Sequence, residues 1–377
     1  MALPCRATAR QGLRHKGERR QSAMEPDPER KGEAVRGGRV GIRDVARRAG
    51  VAISSVSRVL NGNPNVTPAL RQRVLEAVEA LGYQVNLVGS DLRRGTTRTV
   101  GVVIDDIANP LFAEIMLGAE ATLSAAGYLV TLMSSHGTAR GDAAALRHFR
   151  GRRVDGLLLA LSDDTGADWH AALAAGDGGC PVVLLDREAP LPCHSVLSDH
   201  AQGMDAALTE LVGAGHRRIG LMLGPLCTRP GRARLRAFEA GLRARGLNPD
   251  ARFVTLHTPA TAADAERTMA GVLRRPAADR PSAMIVGGGQ LLTGALRALH
   301  AAGCRLPEEM SLLVCDDTPL AELHRPGLTA LRRDVIGIGR AGAELLLEAM
   351  KAPGAEPRSA TIPIEIVRRA SVGPPAA

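Results

Sequence analysis

Seven apolar runs of strand length, separated by amphipathic segments, fill the chain between Thr99 and Asp317. In order they read VGVVID, YLVTLMSS, DGLLLAL, PVVLLD, RIGLMLG, SAMIVGG and SLLVCDD. Strands that are apolar throughout are typical of parallel sheets with helices on both faces. The helices are expected at segments such as Leu111–Ala126, Gly203–Ala214 and Arg232–Arg245. About a dozen such elements exceed one sheet, so we predict an α/β core of two doubly wound parallel-sheet lobes over residues 99–377.

A second pattern precedes the core and covers Ile42–Asn61, with the sequence IRDVARRAGVAISSVSRVLN. Apolar residues recur at helical spacing before Gly50 and again after it, which predicts two short helices around a tight turn. Between its apolar positions the second helix carries short hydrogen-bonding side chains and one guanidinium, which suit a DNA groove better than solvent. These residues are Ser54, Ser55, Ser57, Arg58 and Asn61. The pattern indicates a helix-turn-helix whose second helix reads DNA, with an ordinary helical hairpin as the alternative.

The excess of positive charge lies beside this motif. Residues 1–98 hold 19 Lys and Arg against 9 Asp and Glu, whereas the rest of the chain holds 29 against 30. Such a distribution is the electrostatic footprint of a segment that binds phosphates. We predict a disordered basic extension over residues 1–38, in which Met24 is an alternative start. A helix-turn-helix headpiece follows over 39–82, including a third helix at Pro68–Leu81, and then a hinge helix and linker over 83–98.

Composition argues against several other classes of protein. No run of 18 or more apolar residues could span a membrane, and the Arg-rich start lacks the apolar segment of a secretory signal. The six cysteines are scattered without CxxC or Cys/His spacing, so we expect reduced cysteines and no metal site. We therefore expect a cytoplasmic, nucleoid-associated protein without a cofactor.

An enzyme is the alternative suggested by GIGRAG at 337–342, which matches the dinucleotide fingerprint G-x-G-x-x-G. That fingerprint should follow a full strand, whereas only Val335-Ile336 precede it here, after charged residues. We interpret DVIGIGRAGAELLLEAM instead as one helix with small residues on a packed face. The chain has no P-loop, GxSxG elbow or HExxH motif, so we assign no catalytic residue. His216 is expected to pack or to cap a strand start.

The segment GIRDVARRAGVAISSVSRVLNGNPNVTPALRQRVLEAVEALGYQVN closely resembles the headpiece of the LacI/GalR family of bacterial transcriptional regulators. The resemblance continues through RTVGVVIDDIANPLFAEI, GHRRIGLMLGP and VCDDTPLAELHRPGLTALRRD, and covers about residues 40–372. It implies a repressor that binds a palindromic double-stranded DNA operator as a homodimer, with a higher oligomer left open. It also implies a small-molecule effector, a sugar or related metabolite, in a periplasmic-binding-protein-like core. A solute-binding receptor without regulatory DNA binding is the alternative.

The resemblance assigns roles to particular residues. In the second helix, Ile53, Ser54 and Arg58 would face the major groove. In the hinge, Leu92 would wedge into the minor groove. Asn86 stands where the family usually has Asn, whereas Val85 and Gly89 replace the usual Pro and Ala. In the core, the first lobe would comprise about 99–187 plus 330–357, and the second about 188–329 plus the C-terminal strand.

The effector is expected where polar residues follow the strands, because ligands of open α/β sheets bind at the carboxyl ends of the strands. By resemblance the contacts are Leu111, Phe112, Arg234 and Asp316, and Asp186 at another strand end joins them. Two departures leave the ligand open. Gly288-Gly289 stand where the family usually has Asn-Asp, and Leu256–Thr261 lacks an aromatic residue, so that stacking would fall to Phe112 or Trp169. An unusual ligand, an anion held by Arg234, or no ligand are the alternatives.

Overall fold

The computed structural model describes residues 40–84, 96–174, 180–190, 192–250, 253–256 and 260–376. These residues fall into two compact units, 40–84 and 96–376. The predicted extension over 1–38 and most of the predicted hinge over 83–98 lie outside the described residues. Within the described ranges, no helix combines the length and the apolar character needed to cross a membrane.

The first unit consists of three helices: α1 (Ile42–Ala49), α2 (Ile53–Leu60) and α3 (Pro68–Leu81). Gly50 ends α1 at a φ of 64°, and its N–H donates to the carbonyls of Ala46 and Arg47, so the chain turns tightly into α2. Apolar side chains from all three helices and from the loop before α3 form a small core: Val45, Ala46, Val56, Val59, Val66, Val74 and Ala77. The predicted helix-turn-helix and the predicted bounds of α3 are confirmed.

The first lobe of the second unit is a parallel six-stranded sheet in the order β11-β5-β4-β3-β1-β2. Its strands are β1 (Thr99–Ile104), β2 (Leu129–Ser134), β3 (Gly156–Ala160), β4 (Val182–Leu185), β5 (His194–Ser198) and β11 (Ser359–Ile362). Its helices are α4 (Pro110–Ala125), α5 (Ala139–Gly151), α6 (Ala167–Ala174) and α12 (Val335–Lys351). Separate apolar clusters cover the two faces of the sheet, as expected for buried parallel strands.

The second lobe has a six-stranded sheet in the order β12-β10-β9-β8-β6-β7. Its strands are β6 (Ile219–Leu223), β7 (Val254–Leu256), β8 (Ala283–Val286), β9 (Ser311–Val314), β10 (Thr329–Arg333) and β12 (Ile364–Val367). Its helices are α7 (His200–Gly213), α8 (Arg229–Ala244), α9 (Ala262–Leu273), α10 (Gln290–Ala301) and α11 (Pro319–Leu323). The strands are parallel except that β12 runs antiparallel to β10.

The chain passes between the lobes three times, and two of these crossings differ from the prediction. Residues 194–198 belong to the first lobe, because β5 pairs with β4 and β11, whereas the prediction began the second lobe at about 188. Residues 329–333 belong to the second lobe, because β10 pairs with β9 and β12, whereas the prediction returned the chain to the first lobe at about 330. The crossings therefore lie at Asp199, Asp334 and Pro363, each a single residue between two elements.

The GIGRAG segment is helical, as predicted. It lies within α12, whose small residues allow a close approach to α4. A Cβ at Gly339 would lie 1.9 Å from the carbonyl oxygen of Ile115, and one at Gly118 would lie 2.0 Å from that of Ile336. Gly339 of this motif thus serves the packing of α12 on α4, while a Cβ at Gly342 would meet the side chain of Leu185 in β4.

His216 also has a structural role. Its ring is fully buried, and its nitrogens lie 2.8 Å from Ser282 Oγ and 2.9 Å from both Ser311 Oγ and the carbonyl oxygen of Gly373. These contacts tie the C-terminal segment to the second lobe, in agreement with the predicted packing role.

Candidate nucleic-acid interface and effector cleft

The exposed side of α2 carries most of the side chains predicted to read DNA. Val56 and Val59 point into the core of the three-helix unit, which leaves Ile53, Ser54 and Arg58 exposed. Asn61 directly after the helix is also exposed, and its Nδ2 donates to Ser57 Oγ at 3.2 Å. Ser55 and Ser57 are half-buried.

The chemistry of this face suits base edges. Within the described residues, the Arg58 guanidinium has no ion-pair or hydrogen-bond partner, so it is available to guanine O6 and N7 or to a phosphate. Ile53 is 45% exposed at the first helical position, where its apolar side chain could contact a thymine methyl group. Ala52 precedes it at the N-cap and makes no side-chain cap hydrogen bond. Among the described residues the N–H groups of Ile53 and Ser54 therefore stay free for phosphate, while that of Ser55 donates to the Ala52 carbonyl at 2.9 Å.

The second candidate site is the cleft between the lobes, at the carboxyl ends of the strands. Three of the five predicted effector residues meet there. Asp186 follows β4 of the first lobe, Asp316 follows β9 of the second, and Arg234 reaches in from α8. The three residues are joined through two further side chains that the sequence analysis missed, His200 and Arg333.

Asp186 is the centre of this group. Its carboxylate accepts hydrogen bonds from Ser198 N (3.1 Å), His200 Nε2 (2.9 Å), Arg229 Nη1 (2.8 Å) and Arg333 Nη1 (3.1 Å). Burial alone would raise the pKa of Asp186, but His200 and Arg333 outweigh burial and hold this pKa well below its usual range. Asp186 also has a φ of 52°, a left-handed backbone conformation that Asp tolerates better than most residues.

Hydrogen bonds and one longer ion-pair contact connect five side chains in a ring. Arg333 Nη2 and Nε donate to Asp316 Oδ1 at 2.5 and 3.1 Å, while Arg234 Nη2 lies 3.8 Å from the same oxygen. Arg234 Nε donates to His200 Nδ1 at 3.3 Å, and His200 Nε2 donates to Asp186. Burial lowers the pKa of His200 to about 4, so the imidazole is neutral and its one donor and one acceptor are both used.

A second group of ion pairs joins the lobes next to this ring. Asp164 of the first lobe is completely buried and accepts from Arg232 Nη1 and from the backbone N–H of Arg229, both at 2.7 Å. Glu188 of the first lobe pairs with Arg229 at 3.1 Å and with Arg232 at 3.3 Å. The backbone N–H of Asp164 donates across the cleft to the carbonyl of Cys227 at 2.9 Å. In the ion pairs that join the two lobes, the first lobe supplies the carboxylates and the second supplies the arginines.

The residues predicted to make apolar or stacking contacts with the effector lie outside this polar network. Phe112 is buried in the core of the first lobe, and Trp169 is buried in the cluster on the opposite face of the same sheet. Neither ring presents a face to a ligand in this conformation, because Phe112 is only 4% exposed and Trp169 is fully buried. Leu111 is half-buried, with its N–H bound to Asn109 Oδ1 at 3.2 Å.

The glycines at the predicted departure from the family have a specific geometry. Gly289 has a φ of 62°, and a Cβ at this position would lie 3.6 Å from Oδ1 of Asn109 in the first lobe. A Cβ at Gly288 would lie 1.7 Å from Oδ2 of Asp316. The carboxylate of Asp316 thus occupies the space that a side chain at position 288 would need.

Other polar groups of the second unit lie apart from this cleft network. Asp142 is buried and accepts from the N–H groups of Ser162 (3.0 Å) and Asp163 (3.4 Å), and burial raises its pKa to about 6. A cavity of about 1060 Å³ lies at the amino ends of the first lobe's strands, with a lining that includes Arg98 and Arg147. Among the described residues, no three His, Cys, Asp or Glu side chains are grouped so as to hold a metal ion.

A helix-turn-helix with an exposed polar reading face, followed by a two-lobed α/β core with a polar cleft, defines a DNA-binding regulator with a ligand-responsive core. Comparison with known proteins gives the family. Residues 41–86 match the bacterial regulatory proteins of the lacI family, and residues 208–372 match the periplasmic binding protein-like domain.

Relatives match over most of their own length. The HTH-type transcriptional repressor PurR of Aliivibrio salmonicida is 30% identical over 334 residues, which is 88% of this chain and 98% of the relative. Catabolite control protein A of Priestia megaterium is 30% identical over 313 residues, 82% of this chain and 92% of the relative.

Solved structures agree. The lac repressor dimer bound to operator and the anti-inducer ONPF superposes with a TM-score of 0.79 at 25% identity, covering 89% of this chain and all of that one. The complex of the transcriptional regulator CelR with cellobiose gives a TM-score of 0.66 at 30% identity, covering 88% and 100%. The chain belongs to the LacI family of transcriptional regulators. It is a DNA-binding regulator and not an enzyme, and the family favours this function over the solute receptor.

Proposed function

We propose that this regulator is a repressor whose headpiece, residues 39–82, reads an operator through the exposed face of α2. The observation that carries the proposal is the set of exposed side chains on that face, with the guanidinium of Arg58 free of any protein partner among the described residues. In this reading Ile53, Ser54 and Arg58 contact base edges. Ser55, Ser57 and Asn61 support them or bind phosphates.

The protein acts as a homodimer on a palindrome, because one recognition helix reads too few base pairs for specificity in a genome. An exposed apolar surface on the first lobe supports this proposal. Leu117 on α4 is 63% exposed, and Ile107 just before that helix is 65% exposed. A second copy of the chain would cover these side chains.

Residues 83–98 are the hinge, in which Asn86, Gly89 and Leu92 meet the minor groove. They lie outside the described residues, so the support for their role is the family alone. A wedging leucine at this position would unstack a base step and bend the duplex. A DNA-binding repressor of this kind works in the cytoplasm, at the nucleoid.

The effector is a small molecule, a sugar or related metabolite, that binds in the cleft between the lobes. The name of one structural neighbour, the CelR–cellobiose complex, and that of the ribose operon repressor of Escherichia coli support a sugar. Leu111, Asp186, Arg234 and Asp316 are the proposed contacts, and Phe112 would join them only in a conformation that brings its ring out of the first-lobe core. Binding would change the closure of the lobes and, through linkage, the affinity for DNA.

The test is selection of bound fragments from the source genome with the purified full-length protein, followed by footprinting. We expect a palindromic motif with two equivalent half-sites and one dimer bound per motif. An enriched motif with a single half-site, or no enriched motif, would contradict the proposal. The operons beside the bound sites would then give candidate effectors for calorimetric titration.

A further inference from the structure

Side chains of opposite charge on the two lobes meet in direct ion pairs across the cleft. Among the described residues, six side chains form ion pairs between the lobes: Asp164, Asp186 and Glu188 on the first lobe, and Arg229, Arg232 and Arg333 on the second. The side chains of Asp186 and Arg333 are only 6% and 4% exposed. Both carboxylate oxygens of Asp164 and both of Asp186 accept at least one hydrogen bond.

Gly288 leaves the space that the contact between Asp316 and Arg333 requires. A Cβ at position 288 would lie 1.7 Å from Oδ2 of Asp316 and 2.8 Å from its Cβ, far inside van der Waals contact. Any residue other than glycine would therefore push the Asp316 carboxylate away from Arg333, which it now meets at 2.5 Å. Nη1 of the same Arg333 donates to the Asp186 carboxylate of the first lobe at 3.1 Å. Gly288 therefore acts through Asp316 and Arg333 on the contact between the lobes.

We propose that the cleft of this regulator is closed by the protein's own ion pairs, and that Gly288 is the residue that sets this state. The inference rests on the proposed effector-controlled core and specifies how that core is regulated. A buried ion pair offsets its desolvation only when its geometry is good and its remaining hydrogen bonds are satisfied, and both conditions hold for Asp186 and Arg333. Any effector must then compete with Asp316 for Arg333 and Arg234, so it acts by opening a cleft that is closed without it.

Hydrogen exchange of backbone amides, measured by mass spectrometry on the full-length protein without DNA or ligand, tests the proposal. Two amides donate across the cleft, Asp164 N–H to Cys227 and Arg229 N–H to Asp164. We expect both to be protected in the parent protein. Gly288→Ala should speed their exchange at least tenfold, while the amides of β3 in the first lobe's core keep their protection.

Gly271→Ala is the matched control, because it adds the same methyl group in the second lobe where the nearest atom is the end of Arg274 at 3.9 Å. Asp316→Asn removes the charge that pairs with Arg333 without adding a clash, and it should also expose the two amides. It keeps the test decisive if Gly288→Ala fails to fold. Rapid exchange of both amides in the parent protein would overturn the proposal, and so would protection in Gly288→Ala equal to that in Gly271→Ala. Neither result depends on operator binding, which tests the proposed function separately.

Discussion

Replacing His200 should remove a specific part of the pH dependence of stability. His200 is buried between Asp186 and Arg234, and burial lowers its pKa to about 4, against about 6.5 in an unfolded chain. The unfolded state therefore binds more protons than the folded state between these values. The stabilisation is complete above pH 6.5 and is lost as the pH falls toward 4.

The size of the effect follows from the shift. Between about pH 7.5 and about pH 4.5, His200 should change the free energy of unfolding by about 2.5 kcal/mol, since one pKa unit corresponds to about 1.4 kcal/mol. Asp142 acts in the opposite direction. Burial raises its pKa to about 6, so its contribution is present at low pH and is lost as the pH rises from about 4 to 6. Other groups with shifted pKa values, such as His216 and Asp317, contribute as well, so only a variant separates the effect of His200.

The assay is urea denaturation of the parent and of His200→Gln at both pH values. Glutamine keeps a donor for Asp186 and an acceptor for Arg234 but does not titrate. The difference in unfolding free energy between parent and variant should therefore change by about 2.5 kcal/mol across the pH range. His300→Gln, at an exposed position on α10, is the control and should leave the difference constant. Parallel pH curves for the parent and His200→Gln would refute the reasoning.

Three further results are expected. Arg58→Ala should weaken operator binding by about 1–3 kcal/mol per half-site and relax the preference at one base pair. Arg236→Ala of the core is the control. An equal loss of affinity for random DNA, or the same loss in the control, would show that Arg58 does not read a base. Leu117→Arg should give monomers in sedimentation at micromolar concentration, while Leu323→Arg, at an exposed leucine of the second lobe, should not. Gly89→Ala should tighten operator binding by up to about 2 kcal/mol per dimer, because alanine favours the helix by about 1 kcal/mol per copy. Leu92→Ala should weaken operator binding. Titrations in which both variants match the parent would show that residues 83–98 are only a linker.

The elements with strong local signals could be predicted from the sequence. Thr67 caps α3 through a hydrogen bond to the Leu70 N–H, and Gly82 ends it at a φ of 59°, so the predicted bounds Pro68–Leu81 agree with the structure. The seven apolar runs all contain strands. Two strands that complete the first sheet were not predicted, because β5 reads HSVLS and β11 reads SATI, without a continuous apolar run. β5 depends on pairing with β4 and β11, and β11 depends on pairing with β5.

The cleft was predicted only in part, for a different reason. The carboxyl ends of the strands locate Asp186 and Asp316, and the resemblance adds Arg234. Which side chains form ion pairs with each other, however, depends on which lobe each strand joins. Arg333 was missed because the prediction placed it on the wrong side of a crossing, and it meets Asp186 across 147 positions of the chain.

The three single-residue crossings have a consequence for how the core is made during synthesis. Neither sheet is complete until residues 359–367 have been translated, since β11 closes the edge of the first and β12 closes the edge of the second. The helix-turn-helix needs only local contacts within residues 40–84 and can fold as soon as it leaves the ribosome. Until residues 359–367 have been made, each sheet of the core lacks one edge strand, β11 in the first lobe and β12 in the second. A premature stop after β10 would therefore damage both lobes at once while leaving the DNA-reading unit intact.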